Sequence, residues 1–322
     1  MLHFERNLEE NLFYLYRELQ SGTYRHSHYT SFYINDPKKR HIFKAIIRDR
    51  VVHHAVYRIL YPIFDKSFIY DSYSCRNNKG VYRAVNRLGQ FAKIISQNNT
   101  RPCFALKCDI AKFFDSVDHD ILFRLVQKKI REQNTLALLW EIVSSYSCKD
   151  SRERGGLPIG NLTSQLFANI YLNEFDQFMK HGLKVKYYLR YCDDFIILDS
   201  DVKKLQEFLE VINGFLFSSC KLNLHPQKIV FKKLRQGMDF CGYLVLPHHR
   251  LLRTKTKKRI LAKVSQNAVR LKRRTIASEK FDQSLQSYFG LLKHCHSYKL
   301  KIHLEQKFKL LFGDDCRYGI MT

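Results

Sequence analysis

Residues 185–198 read VKYYLRYCDDFIIL, a run of strand-forming residues interrupted at its middle by two adjacent aspartates. The apolar and aromatic residues on either side predict two strands around a turn, with Tyr191-Cys192-Asp193-Asp194 at the tip. A carboxylate between Tyr191 and Phe195 on a half-buried hairpin is unfavourable unless something positive meets it. The same problem arises upstream, where CFALKCDI at 103–110 reads as an apolar strand that brings Asp109 to its end, near Phe113. Arg190 or Lys107 could neutralise these charges in a purely structural role. A divalent cation does so better when two or three carboxylates converge, because magnesium prefers hard oxygen ligands and shares them with substrate phosphates. Two such ions about 3.5–4 Å apart can activate an attacking hydroxyl and stabilise a leaving oxygen.

The charge balance narrows the partners. Fifty-five Lys and Arg against 30 Asp and Glu give a formal net charge of +25 and a pI near 9.7. Each phosphate met by a cation releases a condensed counterion, so nucleic acid is favoured over an anionic membrane surface. The N-terminal MLHFERNLEENLFYLYREL is broken by charges too early for a signal peptide. No run reaches the 18 or so apolar residues of a membrane span. The nine cysteines include no CxxC pair, which speaks against a disulfide framework or structural zinc and for a cytosolic chain with reduced thiols. His294-Cys295-His296 reads as surface or packing residues, since neighbours in sequence rarely converge on one ion unaided.

Spacing predicts a helix over residues 6–20 ended by Ser21-Gly22, and a hairpin over 29–50 with its turn at Asn35-Asp36-Pro37. Further helices are expected at 48–64, at 118–130 capped by Asp118, at 164–180 behind the glycine turn 155–160, and at 205–217. Short strands are expected at 228–232 and 240–246. Residues 250–274 carry six Arg and five Lys with no acid, the start of a basic helical region that continues to about residue 312.

In this order the motifs resemble those of the reverse transcriptases, from Tyr29 to Arg253. LKCDIAKFFDSVDHDIL (106–122) is similar to the first catalytic motif and GLPIGNLTSQLFANIYL (156–172) to the second. YCDDF (191–195) resembles the third, HPQKIVF (225–231) the fourth and FCGYLV (240–245) a primer-grip hairpin. The resemblance implies an α+β right-hand polymerase. Residues 1–100 would be mostly fingers, 101–249 a palm of antiparallel sheet and helices, and 250–322 a helical basic thumb. It implies an RNA-directed DNA polymerase in which Asp109, Asp193 and Asp194 bind two magnesium ions, with manganese able to substitute. Residue by residue, Arg40 matches the arginine that meets the nucleotide triphosphate, with Lys38 or Lys39 assisting. Phe114 matches the aromatic gate that excludes a 2′-hydroxyl, and Lys228 a possible proton donor near the triphosphate. Arg76 and Lys79 are expected on template or nucleotide, and a plain basic loop is an equal reading for Lys79.

Two departures narrow the subfamily. Most reverse transcriptases carry glutamine where this chain has Ile159 and proline where it has Gln165. IGNLTSQ resembles the enzymes of diversity-generating retroelements, which copy RNA with frequent errors at template adenines. Losing a positioned side-chain amide weakens geometric discrimination between right and wrong pairs. The same resemblance implies RNA template, primer, cDNA and deoxynucleotides as partners, together with a basic oligomeric accessory-variability-type protein. The segment before the hairpin is short for the family, and no maturase or endonuclease is expected after residue 250. The alternatives are a retron-like or defence-associated reverse transcriptase and, from another class, an inactive RNA-binding protein on the same scaffold.

Overall fold

The computed structural model describes residues 2–36, 38–148 and 155–312. By its contacts the chain divides into Met1–Gly80 with Leu106–Phe231, and Val81–Ala105 with Lys232–Thr322. In the first unit α1 (Leu2–Arg6) and α2 (Leu8–Ser21) lead the chain, and α2 ends where Gly22 takes a left-handed φ of 71°. Strands β1 (Thr30–Ile34) and β2 (Arg40–Lys44) pair antiparallel with Ile34 opposite Arg40, so Arg40 is the first paired residue after the tip. Helix α3 (Ile47–Asp65) buries Val52, Val56, Leu60 and Phe64, the apolar stripe expected from their spacing.

Helix α4 (Val81–Ile95) belongs to the second unit and is not among the expected helices, although Ala84, Val85, Leu88, Phe91 and Ala92 form a clear buried face. Its Arg and Gly residues lie on the other faces and hide the period from a residue-by-residue reading. Strand β3 (Phe104–Asp109) ends on its aspartate as expected. Helix α5 (His119–Gln127) is capped by Asp118, whose carboxylate accepts the Ile121 N–H at 2.8 Å. Helix α6 (Gln133–Ser144), also outside the expected set, is capped by Glu132 through the N–H groups of Asn134 and Thr135.

Helix α7 (Leu162–Gln177) starts two residues before the expected Ser164 and passes into a π-helical turn, Phe178–Gly182. It is buried on nearly every side, as a helix at the centre of a unit must be. Strands β4 (Tyr188–Tyr191) and β5 (Asp194–Asp199) form the expected hairpin, with Tyr191 opposite Asp194 and Cys192-Asp193 as its two-residue turn. Helix α8 (Val202–Cys220) and strand β6 (Val230–Lys233) follow, and the four strands line up in the order β4-β5-β3-β6.

The strand expected at 240–246 is a hairpin, β7 (Met238–Phe240) and β8 (Tyr243–Val245), turned by Cys241 and Gly242 with φ of 49° and 86°. A third strand, β9 (Arg250–Leu252), joins it, so the basic region opens on a strand and becomes helical only at Thr254. Helices α9 (Thr254–Lys272), α10 (Ser278–Leu292) and α11 (Tyr298–Phe312) share one core of Ile260, Val264, Ala268, Phe281, Leu285, Leu292, Leu300 and Leu304. This packing leaves Lys255, Lys257, Lys258, Arg270 and Lys272 exposed on α9. In the 294–296 cluster the side chains diverge: His294 stacks on Tyr82, His296 meets His249 edge-on, and the Cys295 thiol faces the Leu292 carbonyl at 3.7 Å.

Phe281 is 1% exposed at the centre of the three-helix core. Phe281→Ala is expected to destabilise that unit by about 3–5 kcal/mol, read as a lower urea midpoint of the full chain.

Candidate active site

Strand β3 delivers Asp109 to the β4–β5 turn through the backbone. The N–H of Ile110 donates to the Asp193 carbonyl at 3.2 Å, and the N–H of His225 donates to the Asp109 carbonyl at 2.8 Å. Asp109 is 8% exposed. Burial raises the Asp193 carboxyl above the usual carboxylate range, and the neighbouring Asp109 charge adds to it. Burial likewise pushes Asp194 up to about 6, opposed by Lys107 and reinforced by Asp109, Asp193 and a hydrogen bond shared with Asp109. Three carboxylates in one half-buried place are thus short of positive charge.

Two lysines supply part of it. Lys228 pairs with Asp109, and Lys107 lies 3.6 Å from Asp194. Lys107 therefore takes the neutralising role considered for it, whereas Arg190 turns the other way. Among the described residues no three carboxylate, imidazole or thiol groups are already gathered around one point. The donor set still suits a hard divalent cation. All three groups are oxygen ligands, two of them hold protons more tightly than usual, and lysine ammonium groups now stand where positive charge is needed.

The turn itself is fixed from beneath. Arg190 is 1% exposed, and its guanidinium makes a two-pronged pair with Asp176 of α7 at 2.8 and 2.5 Å. The same guanidinium donates to the Cys192 carbonyl at 3.0 Å, the Asn169 side chain at 3.4 Å and the Ser72 hydroxyl at 3.1 Å. Tyr188 donates its hydroxyl to Asp176 at 2.6 Å, and Asn169 donates to the Ser74 carbonyl at 2.9 Å. The backbone around Arg190 is pinned as well, by Tyr73 N–H to its carbonyl and its own N–H to the Asp71 carbonyl, each at 2.9 Å. Cys192 takes a φ of 57°, and burial pushes its thiol up, so it is a turn residue and not a reactive thiolate. Asp176, Asn169, Ser72 and Ser74 are not among the residues singled out in the sequence; an arginine on an apolar strand next to a carboxylate-bearing turn is the signal that points to them.

The remaining candidates fall into distinct environments. Lys38, Lys39 and Arg40 are exposed at the hairpin tip, with the Lys39 ammonium 4.7 Å from the Tyr33 ring centre. Phe113 is buried and Phe114 half-buried, and the Phe114 carbonyl accepts the Leu157 N–H at 2.6 Å. Ile159 is half-buried with its carbonyl taking the Phe43 N–H at 2.8 Å, while Gln165 is exposed on α7. Arg76 departs from expectation. Its side chain is 7% exposed and spends its donors on Asp65 at 2.6 Å and on the carbonyls of Ile69 and Ser72, so it braces its own loop and is not open to a phosphate. Lys79 likewise donates to the Tyr70 carbonyl at 2.7 Å and sits over the Tyr70 ring.

A buried histidine pair holds the start of α7. The Ser27 carbonyl can only accept, so His26 Nδ1 is the donor there at 2.6 Å and its Nε2 is left to accept from His53 Nε2 at 3.0 Å. His53 Nδ1 is then free to accept the Thr163 hydroxyl at 2.5 Å. Burial, with His26 adding to it, lowers the His53 pKa to about 4.

Two outcomes follow from this geometry. Arg190→Met, which strands the buried Asp176, is expected to cost about 3–5 kcal/mol in denaturant unfolding, and Arg190→Met with Asp176→Leu is expected to recover most of that loss. His53 is depressed below its unfolded value of 6.5, so its contribution to stability is present above that pH and lost as the pH falls towards 4. Unfolding midpoints at pH 7 and pH 4.5 should differ less in His53→Gln than in the native chain.

Comparison with known proteins bears on the family and the fold. The family model described as reverse transcriptase (RNA-dependent DNA polymerase) matches residues 36–245. Protein YkfC of Escherichia coli (strain K12) is 26% identical over 277 residues, covering 74% of this chain and 71% of YkfC. The group II intron-encoded protein LtrA of Lactococcus lactis subsp. cremoris is 26% identical over 216 residues, covering 64% of this chain and 35% of LtrA. The chain thus spans only about a third of that intron-encoded relative. Among solved structures, a telomerase from Candida albicans in complex with a TWJ fragment of telomeric RNA superposes with a TM-score of 0.54 at 12% identity, over 77% of this chain and 52% of the telomerase. A telomerase from Candida tropicalis in complex with a TWJ fragment matches 91% of this chain and 59% of its own at a TM-score of 0.54. At that identity the likeness concerns the fold alone, a right-hand polymerase of helices and antiparallel sheets. The chain belongs to the reverse transcriptase family, the RNA-dependent DNA polymerases.

Proposed function

We propose that this chain copies an RNA template into DNA in the cytoplasm of a bacterial or phage-infected cell, with Asp109, Asp193 and Asp194 holding two magnesium ions that manganese can replace. One observation carries the reading. The end of β3 and the β4–β5 turn are joined by the hydrogen bond from Ile110 to the Asp193 carbonyl, within the residues matched to the family. The ions, when bound, neutralise phosphate charge and make the primer hydroxyl easier to deprotonate.

The other roles belong to the chain's own side chains. Arg40, with Lys38 beside it, is exposed at the hairpin tip and free to meet a triphosphate. Lys228 reaches Asp109 and would give a proton to the leaving pyrophosphate once the carboxylate no longer needs it. Phe114, half-buried and held by its carbonyl to the glycine turn, would lie under the sugar and disfavour a 2′-hydroxyl. The exposed cations of α9 suit a phosphate backbone read by shape. In this reading residues 1–100 are mostly fingers, 101–249 palm and 250–322 thumb.

A finer assignment rests on Ile159 and Gln165. We read the chain as an error-prone copier of template adenines from a diversity-generating retroelement, working with a basic oligomeric accessory protein and a structured RNA. Support comes from the half-buried, apolar Ile159 side chain, which offers no amide to a nucleotide or template base.

In RNA-templated primer extension, Asp193→Asn is expected to reduce deoxynucleotide incorporation to background while RNA affinity stays near the native value. Wild-type incorporation by the variant would sink the assignment of the carboxylates. With the native chain, misincorporation should be higher opposite adenine than opposite the other three bases; equal selectivity at all four would remove the retroelement assignment and leave the polymerase reading standing.

A further inference from the structure

Strand β2 has two edges. One pairs with β1. The other is met by the glycine turn before α7. There the Phe43 N–H donates to the Ile159 carbonyl at 2.8 Å, and the Asn161 side chain completes the edge. Asn161 accepts the Ala45 N–H at 3.2 Å with its carbonyl oxygen and donates its amide to the Phe43 carbonyl at 2.9 Å and the Pro158 carbonyl at 3.4 Å. Its orientation is fixed by chemistry, since a backbone N–H can only donate and a backbone carbonyl can only accept. Asn161 is 5% exposed, so these bonds are shielded from competing water. Gly160 shows how closely the two segments approach. A Cβ there would lie 2.8 Å from an Ile42 methyl and 3.2 Å from the Phe43 carbonyl, at a φ of 123°. The far side of the junction is anchored by Thr163 on His53.

Arg40 lies three residues before Phe43 on the same strand, and Ile159 lies two residues before Asn161. We infer that Asn161 is a positioning residue that splices the strand carrying Arg40 to the turn carrying Ile159, so that the triphosphate contact and the pairing-selectivity position are held as one rigid piece. The inference rests on the proposed polymerase reading, because it assigns Arg40 to the incoming nucleotide. Its content beyond that reading is a coupling. A side chain that touches no substrate sets how well Arg40 meets the triphosphate, by ordering β2 before the nucleotide arrives.

Asn161→Asp tests this with little change in volume. A carboxylate keeps the bond from Ala45 but cannot donate, and it sets negative oxygen against the Phe43 and Pro158 carbonyls. In single-nucleotide extension on an RNA template, Asn161→Asp is expected to raise the deoxynucleotide KM about tenfold, the scale of one buried hydrogen bond. kcat and primer–template affinity should stay within about twofold of the native values on the same scale. In an Arg40→Ala background the KM effect of Asn161→Asp should disappear, because the contact it orders is gone. Asn161→Ala, which removes the bonds without adding charge, should show the same loss of effect in that background. Asn99→Asp, a substitution at an asparagine that donates to the Pro247 carbonyl in the other unit, measures what simple destabilisation does to KM. A KM unchanged by Asn161→Asp, an effect that multiplies with Arg40→Ala, or one reproduced by Asn99→Asp overturns the inference. Absence of templated synthesis by the native chain would instead refute the polymerase reading.

Discussion

The buried pair between Arg190 and Asp176 organises this molecule. An arginine that is 1% exposed must be compensated in full, and the groups around it do so with a carboxylate, a carbonyl, an amide and a hydroxyl. The result is directional. The guanidinium pairs with Asp176 of α7, and another of its donors holds the Cys192 carbonyl within the β4–β5 turn, one residue before Asp193. A turn with one of its two central carbonyls held by a buried ion pair has little freedom, and that restraint keeps the side chains it carries in one arrangement. Such a pair contributes little net stability, because desolvation offsets most of its attraction. Its value lies in fixing one geometry.

With Arg190 committed elsewhere, the carboxylates are left with two lysines for three negative groups. Burial, with the neighbouring carboxylates adding to it, pushes Asp194 up to about 6, and Asp193 shifts in the same direction. Both shifts mark a place that favours added positive charge. The site therefore combines a rigid frame with an unmet electrostatic demand. The hairpin that carries Arg40 belongs to the same frame through Phe43, Ile159 and Asn161.

Much of this is legible in the sequence. The strand ending on Asp109, the hairpin around Asp193-Asp194 and the Asp118 cap each follow from local pattern, and the structure has them where the pattern puts them. Local pattern cannot show partners that lie far apart in sequence. Arg190 reaches Asp176, Asn169 and Ser72, and each of those residues taken alone is an ordinary polar side chain. Arg76 departs from its expected role for the same reason, since nothing near it in sequence reveals that Asp65 and two carbonyls absorb its donors. Helix α4 escapes such a reading because arginines and a glycine on its other faces interrupt the apolar residues, and β9 because a three-residue strand at the start of a basic run has no period of its own.

Stability and positioning can be separated at Arg190. The double variant Arg190→Met with Asp176→Leu removes the buried charges together, so the fold is retained while the hold on the Cys192 carbonyl is lost. The decisive measurement is its kcat for RNA-templated deoxynucleotide addition, on protein whose unfolding midpoint is near the native one. If the pair exists to fix the carboxylates, kcat falls on the order of a hundredfold, as expected when reacting groups shift by about an ångström. A folded double variant that polymerises at the native rate would contradict that account.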